Sequence, residues 1–213
     1  MAIPAICSYS LPMPDSFPQN KVNWALQPGR AALLIHDMQQ YFLRFYEPDS
    51  ALLKTLIGNI AALKRWAARH GVPVFYTAQP HQQPAGDRAL LNDMWGPGLP
   101  AADAAQQAIV PEIAPSAGDV VLDKWRYSAF QRSDLAERLK AQQRDQLVIV
   151  GVYAHIGCMI TAVEAFMKDI QPFLVGDAVA DFSEAEHRMA LQYVATRAGV
   201  VLATQDIITS TEN

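Results

Sequence analysis

Three residues in this chain sit where parallel-sheet proteins do chemistry. Asp37 follows the apolar run Ala31-Ala32-Leu33-Leu34-Ile35, and Lys124 follows Val120-Val121-Leu122. Gly157 lies in Gly151-Val152-Tyr153-Ala154-His155-Ile156-Gly157-Cys158, which joins an apolar segment to a helical one. A strand-to-helix corner is where a reactive side chain is expected, because the free N–H groups of a helix N-terminus stabilise an anion. Here the corner holds a glycine. An acid and a base without a nucleophile point to acid catalysis with no covalent intermediate.

The elements that must position these groups follow from an alternation of short apolar runs with amphipathic segments of helical period, the pattern of parallel βαβ units. Strands are expected near 31–36, 72–78, 119–124, 146–152, 172–177 and 199–203. Between them, Leu52, Leu53, Leu56, Ile57, Ile60, Leu63 and Trp66 recur at spacings of three and four on one helix face. A second helix is expected from the N-cap Ser133-Asp134 and a third over 158–168. A fourth should start at Ser183-Glu184-Ala185-Glu186, whose spacing matches a capping box. Six strands and four helices predict a doubly wound, mainly parallel α/β sheet with helices on both faces, a three-layer Rossmann-type fold. One domain is expected over 1–213. Residues 1–30, with Pro4, Pro12, Pro14, Pro18 and Pro28, read as an extended arm anchored by Tyr9, Leu11 and Trp24. The proline- and glycine-rich stretch 79–115, centred on Trp95-Gly96-Pro97-Gly98, breaks the rhythm and reads as a wall or lid of a pocket. Residues 209–213 read as a polar tail.

Composition narrows the function classes. The 213 residues are 51% hydrophobic and 18% charged, which is ordinary for a globular protein. A net charge of −4 leaves no basic footprint for nucleic acid. No apolar run approaches the ~20 residues that span a bilayer, and Met1-Ala2-Ile3-Pro4 lacks the features of a signal peptide, so neither membrane nor export is expected and the location read is cytoplasmic. Two cysteines, Cys7 and Cys158, make no disulfide framework, and no Cys-x-x-Cys or His-x-x-x-His spacing suggests a metal. No metal and no cofactor are expected.

In open parallel sheets, ligands bind beyond the carboxyl ends of the strands. That rule selects Asp37, Gln79, Lys124, Tyr153 and Gly157 together. Asp37 alone reads equally as a helix cap or half of an ion pair, and Lys124 alone as a solvated strand end; an acid and a base from different strands, with Gln79 and Tyr153 beside them, read better as a site. His36 is expected to point away from Asp37 by strand alternation, as a structural residue. His155 either lines the site or satisfies backbone groups. Cys158, one step past Gly157, is expected to face the core as a small hydrophobe.

The strings Leu34-Ile35-His36-Asp37-Met38-Gln39-Gln40-Tyr41-Phe42, Tyr76-Thr77-Ala78-Gln79-Pro80, Asn92-Asp93-Met94-Trp95-Gly96-Pro97-Gly98, Lys124-Trp125-Arg126-Tyr127-Ser128-Ala129-Phe130 and Gly151-Val152-Tyr153-Ala154-His155-Ile156-Gly157 resemble the isochorismatases of catecholate siderophore pathways, over nearly the whole chain. They are also similar to the phenazine-pathway enzyme that hydrolyses 2-amino-2-deoxyisochorismate. The wider family, which includes nicotinamidases and other cysteine amidases, uses an Asp, Lys and Cys triad. On the resemblance, Asp37 and Lys124 take the first two places and Gly157 stands where the cysteine would be, a departure shared with the isochorismatase branch.

The resemblance implies hydrolysis of an enolpyruvyl vinyl ether, with Asp37 protonating the terminal methylene carbon and water adding to the oxocarbenium ion. Gly157 would then make room for substrate. Lys124 would orient Asp37 and hold a substrate carboxylate or ether oxygen. Arg88 is a candidate carboxylate clamp, its other reading being a solvated loop charge. Gln79 and Tyr153 would hydrogen-bond substrate oxygens, with His155 as a further candidate lining residue. Phe42 and Trp95 would enclose the ring, or else be plain core. Two other classes stay open: a cysteine amidase using Cys158, and a non-enzymatic docking module for a biosynthetic synthetase. The partners implied are isochorismate, a second copy in a homodimer, and a siderophore synthetase or aryl carrier protein. Enterobactin-type relatives often carry a C-terminal aryl carrier domain; none is expected within these residues.

Overall fold

The computed structural model describes residues 3–99 and 104–210. Its six strands are β1 (Ala31–His36), β2 (Val74–Ala78), β3 (Val120–Asp123), β4 (Gln146–Val152), β5 (Gln171–Ala180) and β6 (Val200–Leu202). They form one sheet in the order β3-β2-β1-β4-β5-β6, and every pairing is parallel. The chain builds outward from β1 to β3, then crosses back to β4 on the other side of β1. The reversal opens a crevice at the carboxyl ends of β1 and β4, where such sheets bind ligands.

Helices cover both faces, so β1 and β4 are buried throughout and read as unbroken apolar runs. Alternation divides their side chains: Leu33, Ile35, Val148 and Val150 join one core layer, and Ala32, Leu34, Leu147 and Ile149 the other. Between β1 and β2 lie α1 (Gln40–Leu43) and α2 (Ala51–His70). Ser50 caps α2 by accepting from the Leu53 N–H at 3.3 Å, and Gly71 at φ +62° ends it. Leu52, Leu56, Ile60, Leu63 and Trp66 are buried along its inner face, each contributing about 1.5–3 kcal/mol by leaving water. The opposite layer is filled from α6 (Leu135–Ala141), α7 (Met159–Met167) and α8 (Glu184–Tyr193).

The doubly wound α/β fold is as expected, with differences at the element ends. β2 begins at Val74 because Val72 still bonds the Ala67 carbonyl at the end of α2. β5 runs on to Ala180 because a register shift between Ile149 and Gly151 lets Gly151 and Val152 pair with Val179 and Ala180. Helices beyond the four expected also form: besides α1, they are α3 (Ala85–Arg88), α4 (Leu91–Trp95) and α5 (Ala104–Gln107) within the 79–115 stretch, and α9 (Thr204–Ser210). Most are too short to print a period in the sequence. α9 takes in the start of the anticipated polar tail, whose residues 211–213 lie outside the described residues. Before α6 the Asp134 carboxylate does not cap; it binds Arg138 at 2.8 Å. Ser183 does cap α8, accepting from the Glu186 N–H at 3.2 Å and donating to its carboxylate at 2.7 Å.

The N-terminal arm is anchored at several points. Ile6 bridges to Tyr46, Leu11 is buried, and Trp24 packs partly buried against the core. Asn20 bonds both the N–H and the carbonyl of Val201, covering part of the β6 edge. The Tyr9 hydroxyl accepts from the Asp181 N–H at 2.8 Å and donates to His187 Nδ1 at 3.0 Å. His187 Nε2 must donate, since its partner is the Gly176 carbonyl at 2.9 Å.

Burial pushes both His187 and the fully buried His36 down to about 4. In the unfolded chain they titrate near 6.5, so below that pH the unfolded state binds more protons and stability falls until about pH 4. Each histidine contributes up to about 3 kcal/mol to that loss. Urea unfolding of His187→Gln should therefore show a pH slope between 5 and 6 shallower than wild type by roughly 1 kcal/mol per unit. Equal slopes would contradict the buried neutral state of His187.

Candidate active site

The site is assembled where β1, β2, β3 and β4 end. Asp37 leaves β1 at φ +49°, a left-handed conformation that costs energy for a non-glycine residue. Thr77, paired with His36 in the β1–β2 register, holds it there. The Asp37 N–H donates to Thr77 Oγ1 at 3.1 Å, and that hydroxyl donates to Asp37 Oδ1 at 2.5 Å. Lys124 continues the ladder beyond β3 by donating its N–H to the Ala78 carbonyl at 2.9 Å. Its Nζ lies 3.2 Å from Asp37 Oδ2, with side-chain exposures of 4% for Lys124 and 8% for Asp37. The pair is therefore nearly dry, and removing either partner strands a buried charge.

The corner after β4 is a wide π turn, Ala154–Cys158, followed by α7. A Cβ on Gly157 would lie 2.0 Å from His36 Cε1 and 2.7 Å from both ring nitrogens. The expectation that this glycine makes room for substrate is corrected: although Gly157 lines the cavity, the imidazole of His36 occupies the place of its side chain. The expectation that His36 points away from Asp37 is corrected too. The left-handed turn at Asp37 breaks the strand alternation and brings its Oδ2 to 3.5 Å from His36 Nδ1. Cys158 is fully buried in the second core layer, and burial pushes its thiol well up. It behaves as a small hydrophobe, which removes the basis for an amidase using it.

A cavity lies in front of these groups, with about 560 Å³ of space between protein atoms that includes open solvent. Asp37, Phe42, Gln79, Arg88, Trp95, Lys124, Tyr153 and Gly157 all line it. His155 does not. Asp181 draws it aside, accepting from its backbone N–H at 2.6 Å and pairing with Nδ1 at 2.7 Å. Burial alone would pull this imidazole down, but the hydrogen bond and charge of Asp181 carry it above its ordinary value. Glu186 lies close to both, yet Asp181 already accepts from His155 and the Phe182 N–H, and Glu186 from Ser183. Those bonds account for the cluster as structure.

Two roles shift in detail. The Tyr153 hydroxyl donates to the Phe42 carbonyl at 2.8 Å, so its proton is committed within the protein and its ring faces the cavity instead. That ring packs on Phe182 at 4.5 Å, and burial pushes the phenol well up, keeping it neutral. Gln79 is fixed by a bond from its N–H to Gln39 Oε1 at 2.7 Å, and its Oε1 accepts from Arg88 Nη1 at 3.3 Å. Arg88 is no solvated loop charge. It is buried, with Nε on the Gly96 carbonyl at 2.6 Å and Nη1 also bonded to Gln83. Gly98, at φ +81°, lies so close that a Cβ there would be 2.7 Å from Nη1. Among the described residues no carboxylate pairs with Arg88, and burial pulls its pKa down. A buried cation with only neutral partners suits an anionic ligand.

Several lining or supporting groups escape the sequence reading: Thr77, Tyr41, Arg126, Tyr127, Phe182, Ile156 and, from the arm, Ile3. Thr77 is the last residue but one of β2 and Phe182 stands two residues beyond Ala180, so both lie near strand ends once β5 is read to Ala180. Trp95 is held by its Nε1 donating to the Tyr127 hydroxyl at 2.8 Å. Nothing in the sequence marks Ile3.

Comparison with known proteins gives a consistent result. The family model for the isochorismatase domain matches residues 31–206. The chain is 56% identical over 208 residues to enterobactin synthase component B of Escherichia coli strain K12, covering 98% of this chain and 73% of that protein. It is 50% identical to an isochorismatase of Bacillus subtilis, covering 100% and 68%, and 52% identical to a phenazine biosynthesis protein of Pseudomonas aeruginosa, covering 97% and 98%. Among solved structures, a cysteine hydrolase from Pseudomonas syringae pv. phaseolicola superimposes with a TM-score of 0.81 at 24% identity, covering 92% and 98%, a likeness of fold.

The burial of Cys158 has a direct check. Under native conditions a thiol reagent such as iodoacetamide should label Cys7, which is exposed, and reach Cys158 only after unfolding. Rapid native labelling of Cys158 would contradict the packing of the corner.

Proposed function

The chain belongs to the isochorismatase family, a family of hydrolases, and from that premise we propose that it cleaves the enolpyruvyl vinyl ether of isochorismate, yielding 2,3-dihydro-2,3-dihydroxybenzoate and pyruvate. The observation that carries this reading is a buried acid–base pair, Asp37 and Lys124, facing a cavity whose lining, among the described residues, includes Arg88 with no carboxylate partner and holds no cysteine or serine.

Asp37, the ion-pair partner of Lys124 in the empty site, takes up a proton as the anionic substrate binds and gives it to the terminal methylene carbon of the vinyl ether. The ether oxygen shares the resulting positive charge as an oxocarbenium ion. Water adds to the cationic carbon and loses a proton, and the hemiketal releases the ring hydroxyl as the carbonyl of pyruvate forms. No side chain bonds covalently to substrate. As the proton leaves, negative charge develops on Asp37 within 3.2 Å of Lys124 Nζ and 2.5 Å of Thr77 Oγ1. Donors preset at the place where charge develops lower the barrier without reorganising.

Arg88 receives a substrate carboxylate, its guanidinium aimed by Gln79, Gln83 and the Gly96 carbonyl. Phe42, Trp95, Tyr153 and Phe182 enclose the ring and limit access of bulk water. The similarity to the isochorismatase of Bacillus subtilis supports isochorismate as substrate, and that to enterobactin synthase component B supports an enterobactin context. The similarity to the phenazine biosynthesis protein supports a second reading, cleavage of the same bond in 2-amino-2-deoxyisochorismate.

Pyruvate release, coupled to lactate dehydrogenase, should be observed with isochorismate and be faster than with the 2-amino analogue; the reverse order would favour the second reading. Asp37→Asn should lower kcat about 10²–10⁴-fold, the usual contribution of a general acid. Arg88→Met should act mainly by raising KM, about tenfold or more, as a carboxylate contact is lost. Pyruvate from neither substrate, or unimpaired turnover by Asp37→Asn, would overturn the proposal.

A further inference from the structure

His36 stands at the centre of the site, and the hydrolytic steps above give it no role. Its ring is wholly buried and held on several sides. Nδ1 donates to the Val152 carbonyl at 3.0 Å, tying the ring to β4. Cε1 fills the position that a Cβ on Gly157 would take, 2.0 Å away. The His36 main chain is equally tight against β4, since its carbonyl oxygen lies 2.2 Å from where a Cβ on Gly151 would be. A ring held in this way cannot turn, and its Nδ1 lies 3.5 Å from Asp37 Oδ2.

We infer that His36 is a positioning residue for the proton donor: its imidazole fills the corner opened by Gly157 and backs the Asp37 carboxyl against Thr77 and Lys124. Gly157 is then a glycine in order to admit this ring. The carboxyl needs such backing because Asp37, though its N–H still bonds the Thr77 carbonyl at 3.2 Å, turns out of the strand at φ +49°, so strand alternation no longer fixes the direction of its side chain. Thr77 holds Oδ1 and Lys124 holds Oδ2, while the ring closes the remaining side. Without it the carboxyl and Lys124 gain a space of imidazole size into which to relax, and a displacement of about 1 Å in a reacting group can cost roughly 100-fold in rate. The same ring bars any side chain from the corner. It thereby keeps the site to acid catalysis.

The rate half of this inference rests on the vinyl-ether reading; the packing half does not. Four variants test both: Gly157→Ala, His36→Val, His36→Asn and the double variant His36→Asn/Gly157→Ala. Asparagine places an amide nitrogen near the position of Nδ1 while removing the far edge of the ring. Without substrate, Gly157→Ala should lower the melting temperature by roughly 5 °C in the wild-type background, as overpacking does, and change it little in the His36→Asn background. In the pyruvate assay, His36→Val should lose about 100-fold in kcat with KM within about threefold, and His36→Asn should recover at least about tenfold of that loss. An equal melting shift in both backgrounds would overturn the packing claim. Wild-type kcat in His36→Val, or a loss confined to KM, would overturn the positioning claim. Absence of pyruvate from the wild type would refute the functional reading and with it the rate claim, while the melting cycle would still decide the packing claim.

Discussion

Two opposite charges taken out of water cost several kcal/mol each unless their geometry and remaining hydrogen bonds repay it. Asp37 and Lys124 meet that condition only because three neighbouring strands end in register. β1 delivers the carboxyl, β2 supplies Thr77 to hold its other oxygen, and the backbone of Lys124 is fixed by the last ladder bond to β2. Shifting any one strand by a residue would turn its side chain to the other face and leave a charge buried alone. The outward order of β1, β2 and β3 is thus tied to the burial of this pair, and the crossover to β4 brings the wall that faces it.

Around the pair, each unusual local feature has a neighbour that requires it. The left-handed backbone of Asp37 faces Thr77 and His36; the glycine at 157 faces the His36 ring; the glycine at 98 faces the Arg88 guanidinium. In both glycine cases a missing Cβ admits a bulky titratable group to a place where it is dry. Asp181 plays a comparable role on the far side, fixing the turn through His155 and receiving the arm through Tyr9. Ile3, the first described residue of the arm, joins the cavity wall.

The sheet was legible because parallel strands buried on both faces print as apolar runs, and α2 because five buried side chains share one face. Asp37, Lys124 and Gln79 were legible because they follow those runs directly. Tertiary contacts decided the rest. Alternation mispredicts His36 because a single positive φ at Asp37 interrupts it, and no residue type announces that turn. The end of β5, and with it Phe182, depends on a register shift in β4 that leaves no mark in composition. His155 could be assigned only from the position of Asp181, 26 residues away in the chain. Tyr153 was placed at the right edge, but the partner of its hydroxyl, Phe42, lies on a helix too short to read.

In the proposed reaction water is added to a substrate cation created by proton donation, with no bond made to the protein and the ring oxygen left in place. Its most direct test is a single turnover of isochorismate in heavy-oxygen water, with the oxygen content of the ring hydroxyls in the product measured by mass spectrometry. Both ring hydroxyls should stay unlabelled, the solvent oxygen entering the pyruvate carbonyl. Label in a ring hydroxyl would mean that water attacks the ring carbon, and would contradict the proposed reaction.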